Sequence, residues 1–209
     1  MSDVVIVEAV RSPIGRRNGG LSTVHPVDLL AEMQQEVIRR SGIDPSVIGQ
    51  VVTGCVSQIG EQSFNVGRTA WLSAGLPKQV AATTVDTQCG SSQQATNMAT
   101  ALVKAGVVDV ALACGVEVMS RVPIGSNSSK KLGYVHAKSC RRYEFTAVRG
   151  AERVADKWHV TRPMPMPRGL RSPVRRPGLG RGSSPPRCTR SAPSTSTMRA
   201  SPPAPRHTG

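Results

Sequence analysis

The chain has 209 residues and a formal net charge of +14, with 27 Lys and Arg against 13 Asp and Glu. This length suffices for one domain and part of a second, and such a charge is typical of proteins that bind nucleic acid or anionic surfaces. The charge is concentrated, however, because residues 163–209 carry nine arginines and no acidic residue. The sequence contains no run of eighteen apolar residues, so no membrane-spanning helix is predicted. Its amino terminus has no basic segment, so no signal peptide is predicted.

The first 114 residues alternate between strand and helix patterns. The β-branched run Val4–Val10 predicts a buried strand. A glycine-rich loop then precedes a helix predicted over Val27–Arg40, which Gly42 ends. Further strands are predicted over Val51–Val56, Ala82–Val85 and Val107–Cys114, and further helices over Asn65–Ala74 and Gln93–Ala105. This order predicts an α/β layered fold of the form βαβαβαβ.

The pattern changes after residue 115. Tyr143–Trp158 predicts one more helix, with Phe145, Val154 and Trp158 on its apolar face. Eleven of the residues in 163–209 are proline, and no apolar period is left there. Because such a segment has little to bury against the entropy of ordering it, we expect 163–209 to be disordered.

Five cysteines are spread along the chain, at Cys55, Cys89, Cys114, Cys140 and Cys188. An odd number without an export signal indicates reduced thiols in a cytoplasmic protein rather than a disulfide framework. No Cys-x-x-Cys pair or His/Cys cluster predicts a metal site. Cys55 and Cys114 lie in apolar strand patterns and are predicted to be core residues.

Cys89 lies between a predicted strand and a long predicted helix. The free N–H groups and the positive end of the dipole at a helix start favour a thiolate. The turn also projects the side chain outward, and the amides of Gly90 and Ser91 are candidates to support the turn and stabilise an oxyanion. The pattern leaves an alternative open, because a single cysteine near a strand end can also be a small buried residue of the core.

Four stretches of the chain resemble thiolases. DTQCGSSQQA is similar to the thiolase nucleophile motif, and IVEAVRSPIGRRNGGL, VVTGCVSQIGEQSFNVGRTAWLSAGLP and ALACGVEVMSRVP occur in the family's order and spacing. They cover about Val4–Pro123, and the GEQS and DTQCG forms are closest to degradative 3-ketoacyl-CoA thiolases of actinobacterial type, including those acting on steroid side chains. The resemblance implies an acetyl-CoA C-acyltransferase that uses Cys89 to form an acyl-cysteine, with acyl-CoA and CoA as substrates and no other cofactor.

The resemblance carries further expectations. Met119 and Ser120 follow the fourth strand, where thiolases line the site, so they are candidates for the pocket wall. Ser92 replaces the usual glycine of the motif, a departure expected to crowd the pocket slightly. The intact family implies a homo-oligomer, and we expect neither a membrane nor nucleic acid as a partner.

Thiolases are about twice this length, and their remaining catalytic groups lie in the other half. These groups are a histidine in an Asn-Glu-Ala-Phe-type loop, a histidine in a Gly-His-Pro loop and a cysteine in a Cys-x-Gly-Gly motif. None of these motifs occurs here, and His25 and His159 are predicted to be solvated. We therefore expect the chain to be truncated and inactive by itself.

Three segments are expected along the chain. Residues 1–120 form the nucleophile domain, 121–162 part of a loop domain, and 163–209 a Pro/Arg-rich disordered tail. In thiolases the first half's final strand returns after the loop domain; no such strand is expected here, so the fold is predicted to be incomplete. One hypothesis for the tail is out-of-frame translation, because PMPMP can be encoded by codons that read one base earlier as alternating Asp and Ala.

Two other functions stay open. The first is a basic nucleic-acid-associating protein with an Arg-rich arm, against which stand 3% aromatic residues and no zinc-finger or RNP-like pattern. The second is a non-catalytic partner of an intact thiolase. The salt dependence of DNA binding would test the first, and co-purification with a full-length thiolase would test the second.

Overall fold

A computed structural model of the chain describes residues 3–128, 147–160 and 195–200. The strands are β1 (Val4–Val10), β2 (Gln50–Gly54), β3 (Ala81–Val85), β4 (Val110–Gly115) and β5 (Thr195–Ala200). The helices are α1 (Pro26–Ser41), α2 (Val66–Ser73), α3 (Ser91–Lys104) and α4 (Ala147–Lys157). Two compact units are present: one comprises residues 1–129 and 186–209, and the other comprises residues 130–185.

The first unit is built on a five-stranded sheet with the order β1-β5-β4-β2-β3. Strand β2 pairs in parallel with β3 and β4, whereas β5 pairs antiparallel with β4 and β1. β1 therefore runs in the same direction as β2, β3 and β4. The carboxyl ends of these four strands meet at one edge of the sheet, the edge where open α/β sheets bind ligands. The predicted α/β class is confirmed.

Helices cover both faces of the central strands. Val51 and Leu112 pack with α1 and α2 on one face, and Val52 and Ala111 pack with α3 on the other. Successive side chains of a strand point to opposite faces, so the continuous apolar runs of β2 and β4 are buried on both sides. Three layers result: α1 and α2, the sheet, and α3.

Glycines follow the ends of α1 and α3, and the one after α1 is Gly42, as predicted. Gly42 has φ 66° and donates its N–H to the carbonyl of Ile38 over 3.0 Å. At Gly106, φ 72°, the N–H groups of Gly106 and Val107 donate to the carbonyls of Val103 and Leu102. A residue without Cβ adopts this left-handed conformation without a clash. The predicted helices are confirmed to within a few residues at their ends, and residues 143–146 of the fourth lie outside the described residues.

β1 lies at an edge of the sheet and is not buried as predicted for Val4–Val10. In the described sheet it pairs with β5 alone, and Val5, Ile6 and Val7 are 45%, 57% and 43% exposed. An apolar run predicts a strand but does not encode the position of that strand in the sheet. This part of the prediction is wrong.

The predicted disorder of 163–209 is wrong for Thr195–Ala200, which forms β5. The strand lies between β1 and β4, with Val10 opposite Thr195 and Ala113 opposite Ser196. The family's final strand was expected to be absent, yet this segment completes a five-stranded sheet. Backbone hydrogen bonds to two neighbours stabilise a strand that has no apolar period. The other residues of the predicted tail lie outside the described residues.

The second unit is represented by α4 and the turn after it. Val154 and Trp158, predicted to lie on an apolar face, are 52% and 60% exposed. The Lys157 ammonium lies 4.7 Å from the centroid of the Trp158 ring, a cation–π contact. Phe145 lies outside the described residues. In the described parts of the chain, no helix has the length and apolar character needed to cross a membrane.

Candidate active site

The turn between β3 and α3 presents Cys89, whose thiol is exposed. Gln88 has φ 54°, a left-handed conformation that is costly for a residue with a side chain. The hydroxyl of Ser91 holds the turn closed, since it accepts from the N–H of Thr87 over 3.0 Å and donates to the carbonyl of Gln88 over 2.6 Å. The carboxylate of Asp86 accepts the N–H of Gln88 over 2.7 Å. Side chains on both sides of Cys89 therefore fix its backbone.

The amides of this turn divide into two groups. Those of Gly90 and Ser91 donate to carbonyls within the turn, over 3.1 and 3.0 Å. Of the two roles predicted for Gly90 and Ser91, turn support is the one that this geometry fits. The next N–H groups of α3, at Ser92 and Gln93, have no acceptor among the described residues. Free amides at the start of a helix are suited to stabilise an oxyanion.

The start of α3 packs directly on the carboxyl ends of β2 and β4, because both strands end in glycine. A methyl group at Gly54 would lie 2.5 Å from the backbone of Ser91 and Ser92. A methyl group at Gly115 would overlap the hydroxyl of Ser92. The serine that departs from the thiolase motif is thus accommodated against a residue with no side chain. These contacts hold the Cys89 turn at the ligand-binding edge of the sheet.

Gly54→Ala is expected to destabilise the first unit by about 1–3 kcal/mol, because the added methyl group meets rigid backbone. The free energy of unfolding, measured by urea denaturation, tests this. Gly20→Ala is the matched control, since a methyl group there has no neighbour within 4 Å. Equal stability of the two variants would show that α3 does not rest on β2 as described.

The other two described thiols lie in the core, as predicted. Cys55 and Cys114 are each 1% exposed. Burial raises the pKa of Cys55 from 9.0 to about 12, and the negative charge of Glu117 adds to the effect. Burial likewise raises the pKa of Cys114 from 9.0 to about 11. Both thiols are therefore protonated in the folded chain at neutral pH. Cys140 and Cys188 lie outside the described residues.

These raised pKa values predict a loss of stability in alkali. Below pH 9.0 both thiols are protonated in the folded and unfolded states, whereas above it the unfolded state loses protons that the folded state retains up to about pH 11 to 12. Between about pH 8 and pH 10 each thiol should thus lower the free energy of unfolding by roughly 1 kcal/mol. Urea denaturation at both pH values measures it. The double variant Cys55→Ala, Cys114→Ala should show a smaller decline, and an unchanged decline would contradict the prediction.

A hydrogen-bonded pair, Gln62 and Glu117, joins the loops that follow β2 and β4. The buried amide of Gln62 donates to the carboxylate of Glu117 over 2.8 Å and accepts the N–H of Val118 over 2.8 Å. The other carboxylate oxygen of Glu117 accepts the N–H of Val56 over 2.9 Å. No role was predicted for these residues, although both occur in stretches that carried the resemblance, Gln62 in GEQS and Glu117 in ALACGVEVMSRVP. A contact between residues this far apart in the chain has no local signal.

Met119 and Ser120, the predicted pocket wall, line a cleft of about 750 Å³ between the loops 11–22 and 117–124. Cys89 is not part of its lining among the described residues. The structure therefore brings Cys89, Gly90 and Ser91 together in one turn and places Met119 and Ser120 on the neighbouring loop. That loop begins at Gly115, against which the start of α3 packs.

Arg121 connects the loop 117–124 to Glu61 and Thr23. Its guanidinium makes two hydrogen bonds to Glu61, of 2.5 and 2.6 Å, and donates to the carbonyl of Thr23 over 3.2 Å. His25, predicted to be solvated, has a side chain that is 39% exposed and also caps α1, where its Nδ1 accepts the N–H of Val27 over 3.2 Å. Within the described residues, His, Cys, Asp and Glu side chains form no group of three that could hold a metal ion.

Comparisons with known proteins point to one family. Residues 4–165 match the family model described as thiolase, N-terminal domain. A steroid 3-ketoacyl-CoA thiolase of Mycobacterium tuberculosis is 38% identical over 172 residues, which cover 78% of this chain and 42% of that protein. A 3-ketoacyl-CoA thiolase of Aeromonas hydrophila is 44% identical over 126 residues, which cover 59% of this chain and 33% of that protein.

A solved structure is similar as well. The crystal structure of the Bacillus anthracis acetyl-CoA acetyltransferase aligns with a TM-score of 0.55 and 42% identity, over 57% of this chain and 30% of that one. The chain thus spans less than half the length of these relatives. The family match ends at residue 165, close to the start of the predicted tail. Because the match covers most of the 209 residues, and the motif around Cys89 folds into a strand-to-helix turn, the chain belongs to the thiolase family and contains its amino-terminal domain.

Proposed function

We propose that Cys89 is the nucleophile of a thiolase-type acyl transfer, the thiolytic cleavage or formation of a 3-ketoacyl-CoA. The observation that carries the proposal is the contrast among the described thiols. Cys89 is exposed at the start of the 14-residue helix α3, whereas Cys55 and Cys114 are buried. The thiolate is the reactive form of cysteine, and a buried, protonated thiol cannot meet a substrate carbonyl.

In the proposed reaction, the sulfur of Cys89 attacks the 3-keto carbonyl carbon of the substrate. The bond from that carbon to the α-carbon breaks, its electron pair passes to the α-carbon, and a proton added there releases acetyl-CoA. The sulfur of CoA then attacks the acyl-cysteine and takes the acyl group, which frees Cys89. The unpaired amides of Ser92 and Gln93 are the groups that we assign to the oxyanion formed at each attack.

The groups that move protons in this reaction must come from outside the chain. The histidine and cysteine motifs that the resemblance implies are absent from the 209 residues. The proposal is therefore that this chain supplies the nucleophile-bearing part of the site, with acyl-CoA and CoA as substrates of the assembled enzyme. A homo-oligomeric assembly and a cytoplasmic location belong to the same proposal, supported by the family and by the free thiols.

Incubation with acetyl-CoA tests the nucleophile directly. The expected product is one acetyl group on the peptide that contains Cys89, detected by mass spectrometry after digestion, with none on Cys55 or Cys114. The Cys89→Ala chain should remain unmodified under the same conditions. Acetylation of Cys55 or Cys114 to the same extent as Cys89 would refute the assignment of the nucleophile.

A further inference from the structure

The cleft between loops 11–22 and 117–124 is preformed. Turns fix one wall, since Gly19 donates its N–H to the carbonyl of Arg16 over 2.8 Å and Ser22 donates its N–H to that of Gly19 over 2.9 Å. The Gln62–Glu117 pair fixes the other wall, and Arg121 ties this loop to Glu61 and to the carbonyl of Thr23, the residue after the first loop. A volume of about 750 Å³ is within the range of small-molecule sites.

One wall of the cleft is cationic. Arg16 and Arg17 line it and are exposed. Neither guanidinium makes a hydrogen bond or an ion pair with any residue that the structure describes. The carboxylate of Glu117 also lines the cleft, but hydrogen bonds to Gln62 and Val56 occupy both of its oxygens. Two guanidinium groups that line one cleft and have no described partner suit a carboxylate or a phosphate.

Part of the cleft lining is apolar and open to solvent. Ile14, Met119 and Ile124 line it and are 65%, 55% and 77% exposed. Methylene groups that cover these side chains would be removed from water, which favours binding. A ligand that contacts both the arginines and the apolar side chains of the cleft thus has an apolar body and an anionic end.

We propose that this cleft binds the far end of a carboxylate-terminated acyl chain. The carboxylate would pair with Arg16 and Arg17, and the methylenes would pack on Ile14, Met119 and Ile124. The loop that begins at Gly115 contacts the start of α3 and continues into the cleft wall at Met119. The two features lie at the same edge of the sheet. The inference rests on the proposed function and specifies it further: the substrate class is a 3-ketoacyl-CoA whose acyl chain carries a second carboxylate.

Calorimetric titration of the full chain with octanedioate and its dimethyl ester tests the proposal. The two probes share an apolar chain, and only octanedioate carries carboxylates. We expect octanedioate to bind at least about tenfold more tightly than the dimethyl ester. The double variant Arg16→Gln, Arg17→Gln should lose this preference and keep its affinity for the dimethyl ester, whereas Met119→Ser should weaken the binding of both probes.

The matched control is Lys78→Gln, Lys104→Gln, which removes the same charge at exposed positions outside the cleft lining. Its preference for octanedioate should equal that of the unaltered chain; an equal loss there would overturn the proposal, because the effect would be one of net charge. Equal affinity of the unaltered chain for octanedioate and its dimethyl ester would also overturn it. Displacement of octanedioate by free CoA, with a loss of CoA binding in the arginine variant, would assign the cleft to CoA phosphates instead.

Failure of this inference is distinguishable from failure of the proposed function. Binding of octanedioate does not use the thiol, so Cys89→Ala should bind it with unchanged affinity. Acetylation of Cys89 without a preference for octanedioate would leave the nucleophile standing and remove the proposed substrate class. A preference for octanedioate without acetylation of Cys89 would remove the proposed function and leave an anion-binding cleft.

Discussion

The purified chain is expected to cleave acetoacetyl-CoA with CoA far more slowly than about one turnover per second. Covalent catalysis by a thiol needs a base that generates the thiolate and an acid that protonates the carbon leaving group. Within the described residues, no hydrogen bond joins a histidine to Cys89, and His25 accepts the N–H of Val27 at the start of α1. The positive end of α3 stabilises a nearby anion by only about 0.3–2 kcal/mol.

The expected deficit is large because catalytic groups of this kind act as a unit. Each positioned acid or base contributes about 10²- to 10⁴-fold, and the loss of several members costs orders of magnitude. The assay is CoA-dependent loss of acetoacetyl-CoA and of a longer 3-ketoacyl-CoA, with Cys89→Ala as the control. Turnover near one per second that disappears in Cys89→Ala would show that a residue of this chain supplies the base.

Folding should slow the alkylation of Cys55 and Cys114 by at least about a hundredfold relative to the unfolded chain, because a rise of one pKa unit lowers the thiolate fraction about tenfold. At neutral pH, iodoacetamide should label Cys89 and leave Cys55 and Cys114 unmodified. The pKa values of the latter two are about 12 and about 11, and their side chains are 1% exposed. Cys89 combines exposure with a backbone position at a helix start.

Time-resolved labelling followed by mass mapping gives the three rates separately. Labelling in concentrated urea provides the control, since unfolding should bring the rates of Cys55 and Cys114 close to that of Cys89. Faster labelling of Cys55 or Cys114 in the folded chain would mean that the turn between β3 and α3 has not formed.

Local features of the molecule could be predicted from the sequence. The helix over Val27–Arg40 and its end at Gly42 follow from the 3.6-residue apolar period and from the left-handed conformation that glycine permits. The turn that exposes Cys89 follows from a short apolar strand joined directly to a long helix. The family resemblance rested on the same stretches. All of these signals involve residues close together in the chain.

Contacts between distant residues were decided by the tertiary structure alone. The Gln62–Glu117 pair and the cleft between loops 11–22 and 117–124 join segments with no local pattern in common. The same is true of the packing of Gly115 against Ser92, which accommodates the departure from the motif.

In the sheet, the sequence predicted most of the strands, and the tertiary structure decided their order. The apolar run Val4–Val10 determined that β1 is a strand, but strand order determined that Val5, Ile6 and Val7 are exposed at an edge. Thr195–Ala200 has no apolar period and becomes β5 through backbone hydrogen bonds to β1 and β4. Sequence patterns determined the other four strands and the helices, because period and caps are local. The neighbours of each segment depend on burial and backbone pairing across the whole chain, which only the tertiary structure provides.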